Sequence, residues 1–215
     1  MSTILSRTGI LAVAATGAML VACNSNRSNT ASTDTTSAAA ATGATPGAPV
    51  DTTAAGGSLS ANGGWTDGQI LAYAAAASKG EIAEAKLAEQ KATSPAVKSF
   101  ARQMVTDHTK MLNEGEQFAK QNNITPDTTK DAVTDLMKTA NDQLSDLRNK
   151  AKGNDWDSDY MGKQVDAHQD VLDHLQDAEK ATSNQALKDM LNKAVGTVQS
   201  HLTKAKDIKD NQLKS

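Results

Sequence analysis

From residue 65 onward, hydrophobic positions recur at intervals of three and four, while Pro, Gly and Asn gather between the periodic runs, which predicts a set of amphipathic helices. The first predicted helix covers about 66–92, with Ile70, Tyr73, Ala74, Ala77, Ile82 and Leu87 along it, and stops at Thr93-Ser94-Pro95. Ser94 is placed to cap the next helix and Pro95 to occupy its first turn, where a missing N–H costs nothing. That second helix, about 95–121, carries Val97, Phe100, Met104, His108, Met111 and Phe118 on one stripe and closes at Asn122-Asn123. A third is expected from Thr125-Pro126 to Lys152 on Val133, Leu136, Met137, Leu144 and Leu147. The fourth covers about 158–181 on Met161, Val165, His168, Val171, Leu172 and Leu175, and the fifth about 184–209 on Leu187, Leu191, Val198, His201, Leu202 and Ile208. The short links at Ser94-Pro95 and Thr182-Ser183 make two antiparallel hairpins, which the third helix bridges. The expected fold is all-α, a four-helix bundle with an additional crossover helix.

The chain before residue 65 reads differently. Residues 24–64 are Ser, Thr, Ala, Gly and Asn with almost no large apolar side chain, the composition of a disordered linker. A flexible chain of that length spans roughly 35 Å r.m.s.. Residues 1–22 have the order of a secretory signal, with Arg7 ahead of an uncharged, mostly apolar run from Gly9 to Val21 that is too short to span a bilayer. It ends in Leu20-Val21-Ala22-Cys23, which resembles the lipobox of bacterial lipoproteins. That resemblance implies cleavage before Cys23 and lipidation of its sulfur, and it accounts for a lone Cys in an exported chain. The expected organisation is therefore a signal peptide (1–22), a lipid-anchored linker (23–64) and a helical domain (65–215). Asn24 after the Cys favours, by analogy, the outer membrane facing the periplasm over inner-membrane retention.

The stretches GEIAEAKLAEQKATSPAVKSFARQMVTDHTKMLNE, YMGKQVDAHQDVLDHL and VGTVQSHLTKAKDI resemble a bacterial family of envelope proteins, the domain of unknown function 4142. The resemblance runs from about Gln69 to Ile208 and is most specific in Phe100-Ala101-Arg102-Gln103-Met104-Val105-Thr106-Asp107-His108. It implies a ferritin-like bundle and an envelope location, and it supplies no reaction.

Composition narrows the chemistry. The formal charge is −3, from 22 basic and 25 acidic residues, and the charges alternate along exposed helix faces, so nucleic-acid binding lacks its electrostatic footprint. There is no G-x-S-x-G elbow, Gly-rich phosphate loop or H-E-x-x-H motif, and the one Cys is assigned to the lipid. The Glu-x-x-His pairs of carboxylate-bridged di-iron bundles are missing as well: Val105, Val165, Val171 and Val198 stand three residues before His108, His168, His174 and His201. An enzyme is not expected.

The histidines remain. His108, His168 and His201 lie on the apolar stripes of three different helices, so their rings converge if their heights match, with Glu81 or Glu84 of the first helix in reach. Two or three imidazoles with a carboxylate suit Zn, Cu, Ni or Fe, and Asp107 or Asp166 could orient a ring from behind. His174 falls on another face and is expected in solvent. The alternative is three separately satisfied core histidines, acting as pH sensors or as nothing more than core in a module that binds another envelope protein. The sequence thus points to a stress-related envelope binding protein, with a His-based metal site as its leading specific chemistry.

Overall fold

The computed structural model describes residues 64–213; the signal segment, Cys23 and nearly all of the linker lie outside the described residues. Five α-helices follow in order: α1 (Asp67–Lys91), α2 (Pro95–Gln121), α3 (Asp131–Asn149), α4 (Asn154–Ala181) and α5 (Gln185–Asp207), the last running into one π-helical turn (Ile208–Gln212). Helix α1 packs along α2, α4 packs along α5, and α3 lies on the outside of α1. No helix among the described residues is long and apolar enough to cross a membrane.

Two buried aspartates tie the hairpins together, each holding the link of the other. Lys-Ala-Thr-Ser occurs at both links, as 91–94 and 180–183. At the first, Asp157 accepts from the Thr93 hydroxyl at 2.6 Å, the Thr93 N–H at 3.0 Å and the Ser94 N–H at 2.7 Å. At the second, Asp67 accepts from the Thr182 hydroxyl at 2.6 Å and from the Asn184 amide at 3.1 Å. Each aspartate sits in the first turn of its own helix, where the helix dipole also favours a negative charge. Because α4 starts where α1 ends, α4 runs parallel to α2, and only a long crossover can join two parallel helices. Helix α3 provides it.

Several expected boundaries shift, each for a visible reason. The Ser94 side chain makes no capping bond to α2; its N–H turns to Asp157 instead. Helix α3 starts at Asp131, five residues beyond Pro126, because Asp127 is held in the preceding loop: its N–H donates to the Gly68 carbonyl at 3.0 Å and its carboxylate accepts from the Thr129 N–H at 2.8 Å. Gly68 permits that approach, since a Cβ there would meet the Thr125 carbonyl oxygen at 2.6 Å. The same helix stops at Asn149, short of Lys152, where the Lys91 ammonium donates to the carbonyls of Leu147, Arg148 and Lys150 and so satisfies the helix end. Helix α4 begins at Asn154, four residues early, because Gly153 adopts φ 144°, which side-chain-bearing residues rarely do, and so turns the chain directly into the helix. On α3, Met137 is 45% exposed and does not join the core as expected.

Candidate metal centre

The apolar interior is divided into two clusters. One gathers Ile70, Tyr73, Leu172, Leu175, Leu187 and Leu191; the other gathers Phe100, Met104, Leu147, Trp156, Tyr160 and Ile208. Between them lies a polar layer to which four helices contribute: Ser78, Glu81 and Glu84 from α1, His108 from α2, Gln164 and His168 from α4, and His201 from α5, all buried. The heights match because His108 is the fourteenth of 27 residues in α2 and His168 the fifteenth of 28 in α4, so both fall at mid-helix. Residues at mid-length of helices spanning one bundle share a level whichever way the helices run.

The three predicted histidines meet in this layer. Ring centroids are 5.3 Å apart for His108–His201, 5.5 Å for His168–His201 and 5.8 Å for His108–His168. One ligand nitrogen from each ring lies within 4.8 Å of the other two. Some point therefore lies within about 2.8 Å of all three nitrogens, and a shift of roughly 0.7 Å per ring reaches the 2.0–2.1 Å of a metal–imidazole bond.

Neighbouring groups fix which nitrogens are free. His168 Nδ1 stands 2.8 Å from the Gln164 carbonyl oxygen, which can only accept, so Nδ1 carries the proton and Nε2 keeps its lone pair. His201 Nε2 stands 2.9 Å from Asp107 Oδ2, so Nε2–H donates to the carboxylate and Nδ1 keeps its lone pair. Both nitrogens of His108 have no hydrogen-bond partner, and neither do His168 Nε2 and His201 Nδ1. His168 and His201 thus each make one hydrogen bond, to a backbone carbonyl and to a carboxylate, whereas His108 makes none. Asp107 takes the orienting position expected of it, whereas Asp166 is exposed and bonds to none of the three rings.

Glu81 and Glu84 stand beside the imidazoles, not among the converging nitrogens. Glu81 Oε1 is 3.6 Å from His168 Nδ1, on the side of the ring already bonded to Gln164. Glu84 Oε2 accepts from the Gln164 amide at 3.0 Å. Glu81 Oε2, Gln164 Oε1 and the Tyr160 hydroxyl have no partner, so every buried unpartnered side-chain polar atom among the described residues belongs to this layer or to Tyr160 one turn away. Gln164 was missed in the sequence, although a Gln on a stripe four residues before a stripe His is a readable interruption. His174 is also corrected: it is half-buried and stacks on Tyr73 at 5.0 Å, with Trp65 edge-on at 6.1 Å.

Burial sets the charge states. It pushes His168 down to about 4 and holds His108 well below the ordinary imidazole value, with the other two rings adding repulsion. His201 is also lowered by burial, against the raising effect of its bond to Asp107. Glu81 is pushed up to about 7 by burial, and Glu84 to about 8 by burial and then by the charge of Glu81. The layer is therefore three neutral imidazoles beside two carboxyls that hold protons readily, a donor set whose lone pairs are free at neutral pH.

Two cavities flank the layer. A cavity of about 470 Å³ between α1, α2 and α5 has His108 and Asp107 on its wall, with Met111 and Met190 among mostly apolar neighbours. On the other side, a cleft of about 360 Å³ between α1, α3 and α4 is lined in part by Glu81 and Glu84.

The model of a family described as Domain of unknown function (DUF4142) matches residues 48–208. The chain belongs to that family. No curated protein matches it significantly. Among solved structures, CopM in the Cu(II)-bound form is similar at a TM-score of 0.54 and 15% identity, over 69% of this chain and 99% of that one. At that identity the likeness concerns the fold alone: both chains form this type of helical bundle. This DUF4142 bundle thus gathers three histidines from three helices in one buried layer between two apolar clusters.

Proposed function

We propose that this DUF4142 chain is a metal-binding lipoprotein of the cell envelope, anchored through Cys23 to the outer membrane and holding one transition-metal ion on His108, His168 and His201. One observation carries the reading: three buried imidazoles from three helices bring one nitrogen each within 4.8 Å of the other two, and four of their six ring nitrogens have no hydrogen-bond partner. His168 Nε2, His201 Nδ1 and a nitrogen of His108 would hold the ion, with the Gln164 carbonyl and the Asp107 carboxylate fixing ring orientation behind them. A neutral nitrogen set binds divalent metals in the order that peaks at copper, and the fold shared with the Cu(II)-bound CopM supports the same first choice, with zinc, nickel and iron after it. The cavity beside His108 gives the ion a route from solvent, and Met111 and Met190 on its wall offer soft thioether contacts along the way. We read the role as metal holding in envelope stress, without catalysis, because the Glu-x-x-His pairs of oxygen-activating bundles are replaced by Val105, Val165 and Val198 before the three histidines.

The test is elemental analysis of the full-length chain carrying Cys23→Ala, without an affinity tag, after exposure to mixed Cu, Zn, Ni, Fe and Mn and removal of loose ions. One metal per chain is expected, copper first, and none in a His108→Ala/His168→Ala/His201→Ala variant that keeps its helical circular dichroism. A parent chain that stays metal-free overturns the proposal.

A further inference from the structure

We propose that the histidine triangle is a site for monovalent copper, Cu(I), which it holds in preference to Cu(II) and Zn(II). The inference rests on the metal-binding reading above and adds to it the charge and coordination of the ion. One nitrogen each from His108, His168 and His201 lies within 4.8 Å of the other two, and among the described residues no carboxylate oxygen or further histidine joins them. Three donors at the corners of a triangle offer trigonal coordination. Cu(II) calls for a tetragonal set of nitrogen and oxygen donors, and Zn(II) on three histidines completes its tetrahedron with water. A monovalent d10 ion makes no such demand and is complete with three.

Water is what this site lacks. The four partnerless nitrogens of the triangle are all out of solvent's reach, both of those on His108 included, although His108 stands on the wall of the larger cavity. The residues themselves are 2%, 1% and 1% exposed for His108, His168 and His201. An ion held there gives up its hydration shell, and the cost of that rises with the square of its charge. The sulfur atoms around His108 favour the same ion. Met104, fully buried, precedes it by one turn on α2, and Met111 follows it by one turn on the cavity wall. Thioether sulfur selects Cu(I). With no open position for water or oxygen to coordinate, the bundle keeps copper in its reduced form.

The test uses the full-length Cys23→Ala chain, stripped of metal. Cu(I) affinity is measured without oxygen against bicinchoninate, Cu(II) and Zn(II) affinities against a chromophoric chelator, and the bound couple by redox titration. Cu(I) is expected to bind about a thousandfold more tightly than Cu(II), which places the bound couple about 180 mV above that of the free ion at 59 mV per tenfold. Ag(I), a monovalent ion that air does not oxidise, should bind at one per chain and compete with Cu(I). Asp107→Asn should raise the potential further, because losing the carboxylate behind His201 weakens a doubly charged ion more than a singly charged one. X-ray absorption of the Cu(I)-loaded chain should show three nitrogen neighbours. Cu(II) bound as tightly as Cu(I), or a fourth oxygen or nitrogen neighbour around Cu(I), overturns the inference and leaves the metal site standing. A chain that binds none of these ions overturns both.

Discussion

Asp107→Asn isolates what the carboxylate behind His201 does for the metal site. Asp107 accepts from His201 Nε2 at 2.9 Å, and its side chain is 33% exposed. Its first effect is to fix the tautomer that leaves Nδ1 free. Without it, the two neutral tautomers compete, and if they are equally populated the loss of affinity is only about twofold. Its second effect is charge: a carboxylate on the far side of the ring makes the ligating nitrogen more electron-rich and offsets part of the cation's desolvation. Groups of this kind contribute about 10–100-fold to metal affinity, or about 1.4–2.7 kcal/mol. Most of that must be the charge, since the tautomer accounts for so little. The expected result is therefore a 10–100-fold loss of Cu(II) affinity in Asp107→Asn, with the loss smaller at high salt because the group is partly solvated. Asp166→Asn, on the same reasoning, leaves the affinity unchanged. The assay is competition against a chromophoric chelator at neutral pH, using the full-length Cys23→Ala chain, with a urea unfolding curve for each variant. An Asp107→Asn chain that folds normally and binds copper within twofold of the parent would refute the role assigned to Asp107 and weaken the tautomer argument for the whole triangle.

Two further outcomes concern the apo-protein. Asp157→Ala leaves the N–H groups of Thr93 and Ser94 without their buried acceptor, so it should cost about 3–5 kcal/mol in urea unfolding; a change below about 1 kcal/mol would show that the link holds its own shape. For pH, the folded values of the three imidazoles lie below their unfolded value near 6.5, so their contribution is complete above that pH and is lost as pH falls, about 3 kcal/mol for His168 alone by pH 4. The two glutamates act in the opposite sense: raised to about 7 and about 8, they contribute fully below their unfolded value and lose that contribution as pH rises through the folded ones. Glu84→Gln should therefore raise the urea midpoint at pH 9 and leave it nearly unchanged at pH 4, and equal shifts at the two pH values would contradict the assignment.

The helices were legible because each carries its own apolar period, and the two hairpins followed from links too short for anything else. Their ends were less so, because Lys91, Asp157 and Asp127 act across the bundle on residues about 55–65 positions away in sequence or on loops with no period of their own. The same difference separates the parts of the site. His108, His168 and His201 were visible as polar residues on apolar stripes. Their shared height was not, since spacing within a helix is silent about register between helices, although mid-helix position was there to be counted for two of them. Asp107 and Asp166 looked equivalent beside their histidines. The structure distinguishes them because Asp107 points across α2 to the ring of α5, a contact that spacing along α2 alone does not show, while Asp166 faces outward along α4 toward the cleft. Glu81 and Glu84 were placed at the right depth but with the wrong group: the rotation of α1 sends them to the far side of His168.

The layer's unsatisfied atoms bear on why the bundle keeps it. An unpartnered buried polar group costs about 1–3 kcal/mol, and net domain stability is only about 5–15 kcal/mol. Seven such atoms lie in or next to one level, each left for water or a ligand to satisfy. Apolar side chains in the same places would join the two hydrophobic clusters into one continuous core at no such cost, and four helices contribute polar residues to this level instead. Folding alone gives no reason for that arrangement, whereas binding does. Lone pairs that nothing in the protein satisfies are available to a ligand without first breaking an internal hydrogen bond, so the free energy withheld from stability reappears as affinity. The layer is divided in a similar way: the three imidazoles bring one nitrogen each to a common point, with His108 on the wall of one cavity, while the side chains of Glu81 and Glu84 line the cleft under α3. A borderline metal of the kind proposed suits the neutral nitrogen set, and His168, bonded through Nδ1 to the Gln164 carbonyl, keeps its other nitrogen free of any protein partner.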